Sequence, residues 1–167
     1  MAKILMIIAP VGFQDDEFFE PMTILEKAGH DITIASLKKG PCKGAHGSIA
    51  VATVALAEVN TNDYAAVIFV GGGGSSIYFD DRIALLIARE MNADGKIVAA
   101  ICLAPVILAN AGVLKGKNAT VWPDESKTIE SKGAKYAGTG VVVDGKIVTG
   151  DGPKAAREFG RKILSLI

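Results

Sequence analysis

The chain has 167 residues, of which half are hydrophobic and 22% are charged. That composition excludes a disordered or fibrous protein and predicts one domain over residues 1–167 with a sizeable buried core. Eighteen basic residues balance eighteen acidic ones, so the chain lacks the basic excess that binds nucleic acids or anionic membranes.

Apolar runs typical of strands alternate with segments of helical spacing along the chain. In chain order the predicted elements are a strand at 3–8, a helix at 16–28, a strand at 31–36, a weak edge or hairpin strand at 48–54, a strand at 64–70, a helix at 80–91 capped by Asp80 or Asp81, a strand at 96–101, a helix at 103–111, a strand at 118–122, a helix at 124–131, a hairpin at 140–149 turning at Asp144 and Gly145, and a helix at 154–166.

This alternation predicts an α/β fold with a mostly parallel sheet covered by helices on both faces. In such sheets the functional site lies beyond the carboxyl ends of the strands. Three places therefore matter: the loop after Ile8, the glycines after Val70 and the junction after Ile101. No apolar run is long enough to span a bilayer, and acidic residues follow the first run too soon for a secretion signal. We therefore expect a cytoplasmic protein with reduced thiols.

Cys102 lies at the junction between a predicted strand and the helix that follows it. A nucleophile on a sharp strand-to-helix turn has its side chain exposed above the sheet, as in a nucleophile elbow. The start of a helix also favours the thiolate form of a cysteine, so we expect a depressed thiol pKa. The alternative is a buried, unreactive cysteine within an apolar run.

Two other features follow neighbouring strands and point to the same edge. One carboxyl among Asp15, Asp16 and Glu17 could reach the space above the sheet, although acidic residues are also common at helix starts. A buried carboxyl beside a thiol would have a raised pKa and could carry a proton at neutral pH. The glycines at 71–74 bring backbone amides that could bind an oxyanion, or they simply form a turn.

The remaining candidate groups predict no metal ion and no cofactor. The two cysteines and two histidines are scattered, which fits neither a zinc site nor a disulfide framework. His30 is predicted at the surface and His46 in a loop near Cys42. The glycine run at 71–74 does not have the spacing of a dinucleotide-binding loop.

Four segments together resemble the DJ-1/ThiJ/PfpI superfamily over nearly the whole chain. FQDDEFFEP at 13–21 is similar to the family's first-helix motif, in which a glutamate, here Glu17, precedes a proline by four residues. AVIFVGG at 66–72 resembles the strand that leads to the family's paired glycines. AAICLAP at 99–105 resembles the elbow around its reactive cysteine, and GDGP at 150–153 resembles the segment before its last helix.

The resemblance implies a flavodoxin-like three-layer sandwich that forms a homodimer or a higher homo-oligomer. It implies Cys102 as an easily oxidised thiolate, with Glu17 as its protonated hydrogen-bond partner. The backbone at Gly71, Gly72 and Leu103 would then surround the substrate, and the amides of Gly72 and Leu103 would form the oxyanion hole.

The sequence departs from the family pattern where some branches have acid–base groups. Leu103 stands where the protease-like branch has histidine directly after the cysteine. Trp122 stands where the redox branch has a histidine, and Asp151 where it has an arginine. Gln14 occupies a position that is often acidic. We expect Gln14 and Trp122 to line the pocket, and an intracellular cysteine peptidase is disfavoured because the adjacent base is missing.

The leading hypothesis is a cofactor-free cysteine enzyme whose substrates are small carbonyl compounds or glycated molecules, of the glyoxalase III or deglycase kind. In it Cys102 is the nucleophile and Glu17 the general acid and base. The alternative is an oxidative-stress sensor or chaperone-like protein in which Cys102 is oxidised. A third hypothesis is a degenerate member that binds a ligand without turnover.

Overall fold

The computed structural model describes residues 1–167, which form twelve strands and five α-helices joined by short 3-10 turns. In chain order the elements are β1 (Lys3–Ile7), β2 (Val11–Phe13), α1 (Asp15–Lys27), β3 (Asp31–Ser36), β4 (Gly40–Gly44), β5 (Ile49–Ala52), β6 (Val54–Ala55), β7 (Ala66–Phe69), α2 (Arg82–Ala93), β8 (Ile97–Ile101), α3 (Pro105–Asn110), β9 (Asn118–Ala119), α4 (Ser126–Ser131), β10 (Lys135–Tyr136), β11 (Val141–Asp144), β12 (Ile147–Gly150) and α5 (Ala156–Leu166).

A seven-stranded sheet runs through the centre in the order β11-β12-β8-β7-β1-β3-β6, and only β11 is antiparallel to its neighbour. Its five long parallel strands, counted along the chain, lie in the spatial order second, first, third, fourth, fifth. That order is flavodoxin-like, and it reverses direction between β1 and β7. The predicted mostly parallel sheet is confirmed.

The central strands are buried on both faces, as their continuous apolar sequences predicted. Alternate side chains of each strand point to opposite faces of the sheet, so the core is divided into two clusters. One cluster packs under α2, α3 and α4, and the other packs under α1 and α5. The second cluster contains both Phe18 of α1 and Cys102, so the site described below lies on the side of α1 and α5.

Helices α1 and α5 pack closely on that side because α5 has a glycine at the contact. A Cβ at Gly160 would lie 3.0 Å from the Cα of Pro21. The absent side chain therefore lets the two helices approach. This contact helps to fix the position of α1, which carries Glu17 one turn before Pro21.

The structure corrects several predicted element bounds. The weak strand at 48–54 is β5, which pairs antiparallel with β4, a strand that the sequence analysis missed; β2 completes this small sheet. The strand predicted at 118–122 extends only over Asn118–Ala119, and it pairs with β10 outside the central sheet. The helix predicted from residue 103 begins at Pro105.

Other predictions agree with the structure. Asp81 caps α2 by accepting the N–H of Ala84 at 2.8 Å. The predicted hairpin is present as β11 and β12, but its turn is formed by Gly145 and Lys146, one residue later than predicted, because Asp144 still pairs with Ile147. No helix combines the length and apolar character needed to cross a membrane.

Candidate active site

The carboxyl ends of β1, β7 and β8 lie side by side, and each leads into one part of the site. The loop after β1 leads to Glu17 in α1, the end of β7 leads to Gly71 and Gly72, and β8 leads to Cys102. The site therefore lies at the end of the sheet where the strand order reverses, as is general for open α/β sheets.

Cys102 forms a sharp turn directly after β8. Its φ of 64° makes it the only non-glycine residue with a positive φ, a conformation that is strained for an L-amino acid. Two hydrogen bonds hold its backbone there. Its N–H donates to the carbonyl of Gly150 at 2.9 Å, and its carbonyl accepts the N–H of Trp122 at 2.8 Å. The elbow predicted from the sequence is present, but the predicted exposure of its side chain is wrong, because the cysteine is only 7% exposed.

Gly71 lies between Glu17 and Cys102 and leaves no room for a side chain. A Cβ at this position would overlap Oε1 of Glu17 and the carbonyl oxygen of Ile101, and it would lie 2.6 Å from the Cβ of Cys102. Its φ is not in the left-handed region, so space alone requires glycine here. The carboxyl and the thiol therefore meet across a residue with no side chain.

Gly72 brings a backbone amide to the thiol. Its φ of 98° favours glycine, and a Cβ here would lie 2.5 Å from the backbone nitrogen of Gln14. The N–H groups of Gly72 and Leu103 both act on the thiol of Cys102 and favour its charged form. These are the two amides that the family resemblance implies for an oxyanion hole.

Gln14 caps α1 rather than lining the site with its side chain. Its Oε1 accepts the N–H of Glu17 at 2.9 Å, and its own N–H donates to the carbonyl of Gly71 at 3.0 Å. Gln14 thus connects the start of α1 to the glycine run. Because the cap uses only the backbone of Glu17, the carboxyl of Glu17 is free to turn into the site.

The carboxyl of Glu17 is fully buried, and neither of its oxygens has a hydrogen-bond partner of normal geometry. Burial raises the pKa of Glu17 to about 8, because the interior disfavours the charged form. The nearby Cys102 thiol and the Gly71 amide oppose this rise only in part, and the charge of Asp16 adds to it. A buried carboxyl without partners is rare, since leaving such a group unpaired is costly.

The other two acidic residues of this segment have different roles. Asp16 is exposed, whereas Asp15 is 6% exposed and accepts the N–H groups of His46 at 2.8 Å and Ser48 at 3.0 Å. Burial opposes the charged form of Asp15, but hydrogen bonds from Ser48 and His46 outweigh it and lower the pKa of this carboxyl. Asp15 therefore connects the β4–β5 turn to α1.

The sequence predicted a lowered pKa for the Cys102 thiol, and this prediction is wrong. Burial, and then the negative charge of Glu17, raise the pKa of Cys102 to about 12, although the amides of Gly72 and Leu103 act in the opposite direction. The expected helix effect is small because α3 has only six residues and begins three residues after the cysteine.

Glu17 and Cys102 are best described as one pair that titrates in two steps. The pair loses its first proton near pH 8. The second proton is held much more tightly, because its loss would place two negative charges next to each other. Over that range the pair carries one proton and one negative charge. Whenever the charge is on sulfur, the proton is on Glu17.

No histidine is placed to act as a base for Cys102. His30 accepts the N–H of Ala2 at the amino end of the sheet, and His46 is exposed in the turn held by Asp15. Leu103 is half-buried beside the cysteine.

No group of three or more His, Cys, Asp or Glu side chains is arranged to hold a metal ion.

Trp122 lies where the sequence analysis expected it, at a pocket next to the elbow. It is 40% exposed and lines a cavity of about 670 Å³. Gly152 and Pro153, which were not predicted as site residues, line the same cavity. Their position directly after β12, the neighbour of the elbow strand, is the signal that could have identified them.

Comparison with known proteins identifies related sequences and folds. A model of the DJ-1/PfpI family matches residues 2–166. An uncharacterized protein of Methanocaldococcus jannaschii is 43% identical over 169 residues, covering 99% of this chain and 82% of its own length. Deglycase PfpI of Pyrococcus furiosus is 34% identical over 165 residues, covering 99% of each chain. The crystal structure of a ThiJ/PfpI domain protein from Brachyspira murdochii superposes with a TM-score of 0.96 at 32% identity, covering 98% of this chain and 95% of the other. The resemblance predicted from four motifs is confirmed.

Replacing Gly71 with alanine is expected to disrupt the site. The added methyl group must displace Glu17 or the backbone around Cys102, and such overpacking costs about 1–3 kcal/mol of folding free energy. We expect a lower unfolding free energy in urea and a changed alkylation rate of Cys102 with iodoacetamide. The matched control is Gly73→Ala, because a Cβ at Gly73 meets nothing within 4 Å. If both variants behave alike, the close approach at Gly71 does not constrain the site.

Replacing Asp15 with asparagine is expected to destabilise the protein by about 1–3 kcal/mol at pH 7. Both carboxylate oxygens of Asp15 accept a hydrogen bond, whereas the amide of asparagine has only one oxygen that can accept. The folded pKa of Asp15 is lowered, so its stabilising effect is present above its unfolded pKa and is lost as pH falls through the folded value. The difference in unfolding free energy between wild type and variant should therefore narrow below about pH 4. The control is Asp16→Asn at the exposed neighbouring residue, whose unfolding free energy should stay within about 0.5 kcal/mol of the wild-type value. If the difference between wild type and Asp15→Asn does not change with pH, the stabilising role of the ionised Asp15 is contradicted.

Proposed function

This chain belongs to the DJ-1/PfpI family, and on that premise we propose that it is a cofactor-free, cysteine-dependent enzyme that acts on reactive carbonyls and their early glycation adducts. The observation that carries the proposal is the fully buried, unpartnered carboxyl of Glu17 facing Cys102 across Gly71. An enzyme that moves a proton needs such a group, whereas a merely structural carboxyl is hydrogen-bonded. The deglycase name of the Pyrococcus furiosus relative supports the same class of activity.

The first step is the addition of the Cys102 sulfur to the aldehyde carbon of methylglyoxal. The active form of the pair has its charge on sulfur and its proton on Glu17. A C–S bond forms, and the electron pair of the carbonyl bond moves to oxygen. The N–H groups of Gly72 and Leu103, which already act on the sulfur, stabilise the resulting oxyanion. Protonation of this oxygen gives a hemithioacetal.

The second step moves a proton between the two carbons. After Glu17 has given its proton to the oxyanion, its carboxylate removes the proton from the carbon attached to sulfur, and the electron pair moves through a new C=C bond to the ketone oxygen. The resulting enediolate passes its hydroxyl proton from the oxygen on the sulfur-bearing carbon to the neighbouring oxygen. Glu17 then returns a proton to the neighbouring carbon. The carbon bound to sulfur is thereby oxidised to a thioester while the adjacent ketone carbon is reduced to an alcohol, so no external oxidant or reductant is needed.

Water completes the reaction by hydrolysing the thioester. Lactate leaves and the Cys102 thiol is restored, so methylglyoxal and one water give one lactate. In an early glycation adduct an amine occupies the aldehyde carbon. There the sulfur displaces the amine, which leaves with a proton, and the later steps are unchanged.

The peptidase alternative lacks the group it needs. Cysteine peptidases rely on a base that removes the thiol proton and later protonates a leaving amine. Leu103 occupies the adjacent position, the imidazole of His30 accepts the N–H of Ala2, and His46 is exposed in the β4–β5 turn. The family resemblance also implies a homodimer. This remains a prediction, and light scattering in solution can test it by measuring the molar mass.

Lactate formation from methylglyoxal tests the proposal. Cys102→Ala is expected to fall to the uncatalysed background, and Glu17→Gln to lose about 10²–10⁴-fold in kcat/KM because it cannot exchange a proton. For wild type, kcat/KM should rise about tenfold per pH unit up to about pH 8 and then level, since the first proton leaves the pair there.

The controls are the other buried cysteine and the neighbouring acid. Cys42→Ala should retain wild-type activity, because Cys42 lies in β4 with its thiol directed to the carbonyl of Gly40. Asp16→Asn should also remain active, with its pH profile shifted slightly downward because the charge of Asp16 raises the pKa of Glu17. Equal rates in wild type, Cys102→Ala and Glu17→Gln would rule out this mechanism.

A second candidate function is an oxidation sensor at Cys102. The same unpartnered Glu17 favours it, because a protonated carboxyl can donate to a sulfinate oxygen, and the amides of Gly72 and Leu103 can bind the other oxygen. Formation of the sulfinate consumes two peroxide molecules and releases two waters, adding two oxygen atoms to the sulfur.

Mass spectrometry of peptides after mild peroxide treatment tests the sensor. We expect Cys102 to gain two oxygen atoms while Cys42 is unchanged, and Glu17→Ala to accumulate less of this product and more of the fully oxidised sulfonate. If Cys42 is oxidised while Cys102 stays a free thiol, the sensor hypothesis is wrong.

A further inference from the structure

A cavity of about 670 Å³ lies next to the elbow and is lined in part by Trp122, Gly152 and Pro153. Its surface is mostly apolar. The residues that give it this character are Trp122, Pro123, Val141, Pro153 and Ala155. A volume of this size is typical of sites for drug-sized ligands and is far larger than a three-carbon dicarbonyl requires.

The cavity lies next to the backbone of Cys102. Trp122 on one wall donates its N–H to the Cys102 carbonyl at 2.8 Å. On the other side, the Cys102 N–H donates to Gly150 at 2.9 Å, and Asp151 and Gly152 continue from there into the wall. The cavity therefore adjoins the main chain of the turn that presents the nucleophile.

The indole of Trp122 is held in place although it is partly exposed. A Cβ at Gly152 would lie 3.1 Å from Cζ3 of the indole, so the ring packs closely against that glycine. The preceding backbone is fixed as well, because the N–H of Thr120 donates to Oγ1 of Thr149 at 2.9 Å. A rigid, partly exposed tryptophan offers a large apolar surface to a ligand at little entropic cost.

The charged residues of the cavity do not select a charged ligand. One oxygen of Asp151 accepts the N–H of Gly140 at 2.8 Å, which fixes this carboxylate to the wall. Lys154 and Glu158 carry opposite charges and are both exposed. Together with Asp151 they leave the lining with one net negative charge, and Glu158 also lies 3.7 Å from the ammonium of Lys162. Apolar contact is therefore the main attraction that the cavity offers.

We propose that this cavity is the subsite for an aromatic substituent on the substrate, with Trp122 as its specificity-determining residue. The proposal rests on the proposed function and narrows it to aryl-substituted α-oxoaldehydes. The reacting carbonyl would lie between Cys102 and the amides of Gly72 and Leu103, and the ring would lie against Trp122. Phenylglyoxal then takes up one water and gives mandelate by the same steps that give lactate from methylglyoxal.

Binding of the two products tests the subsite without turnover. Trp122 is the only tryptophan in the chain, so quenching of intrinsic fluorescence reports directly on the cavity. We expect mandelate to quench it and, by calorimetry, to bind about tenfold more tightly than lactate. Trp122→Ala should reduce that ratio below about threefold, whereas Trp122→Phe should retain most of it. These substitutions keep the backbone N–H that holds the elbow.

Kinetics supply the second readout. In wild type kcat/KM should be about tenfold higher for phenylglyoxal than for methylglyoxal, and Trp122→Ala should remove this preference. Leu86→Ala is the matched control, since Leu86 is a large exposed apolar residue on α2 outside the cavity; it should change neither ratio.

The outcomes separate the subsite from the reaction. If mandelate binds no more tightly than lactate, or if the cation N-acetylarginine methylamide binds more tightly than mandelate, the aromatic subsite is wrong. If mandelate binds in a Trp122-dependent way but no oxoaldehyde is converted, the proposed reaction fails while the aromatic site stands.

Discussion

The whole site depends on one missing side chain, at Gly71. Because nothing projects from this residue, the carboxyl of α1 and the thiol of the elbow can approach each other from opposite sides of the end of β7. The fold provides the rest of this meeting. The strand order places β1, β7 and β8 next to one another, so the loops after them converge. The packing of Gly160 against Pro21 then helps to hold α1 at the required distance from the sheet.

The close approach of the Glu17 carboxyl and the Cys102 thiol has an electrostatic consequence. It also accounts for the small number of polar side chains around the pair. Glu17 is buried without partners, so a full negative charge on it is unfavourable, and the same is true of the thiol. Together they accommodate one charge, which can lie on either atom while the proton lies on the other. A pair of this kind supplies a nucleophile and a proton donor at once. A histidine nearby would be needed only if the carboxyl were hydrogen-bonded and fixed in its ionised form.

The sequence was most informative where a local pattern alone decides the structure. Continuous apolar runs predicted the central strands, and the junction after β8 predicted the elbow. The strand β4 was missed because Gly40 and Pro41 are poor strand residues, and because the turn that joins it to β5 is held by Asp15, which is distant in sequence. The thiol pKa was given the wrong direction because burial is a property of the folded chain, whereas the helix that was expected to lower it starts late and is short. Among three consecutive acids, only the fold shows that Asp15 faces a turn, Asp16 faces solvent and Glu17 faces the thiol.

The two hydrogen bonds on the Cys102 backbone connect reactivity to selectivity. They hold a φ of 64° that a cysteine adopts only under constraint, and their partners are residues that form, or lead into, the cavity walls. A change in the backbone of either wall must therefore also move the nucleophile. Side chains on those walls can vary without this penalty, because the elbow is held by main-chain atoms alone. Trp122 illustrates the distinction: its N–H supports the elbow, while its indole lines the cavity that we propose as the substrate subsite. Substrate preference can thus diverge within a fold whose reactive centre stays the same.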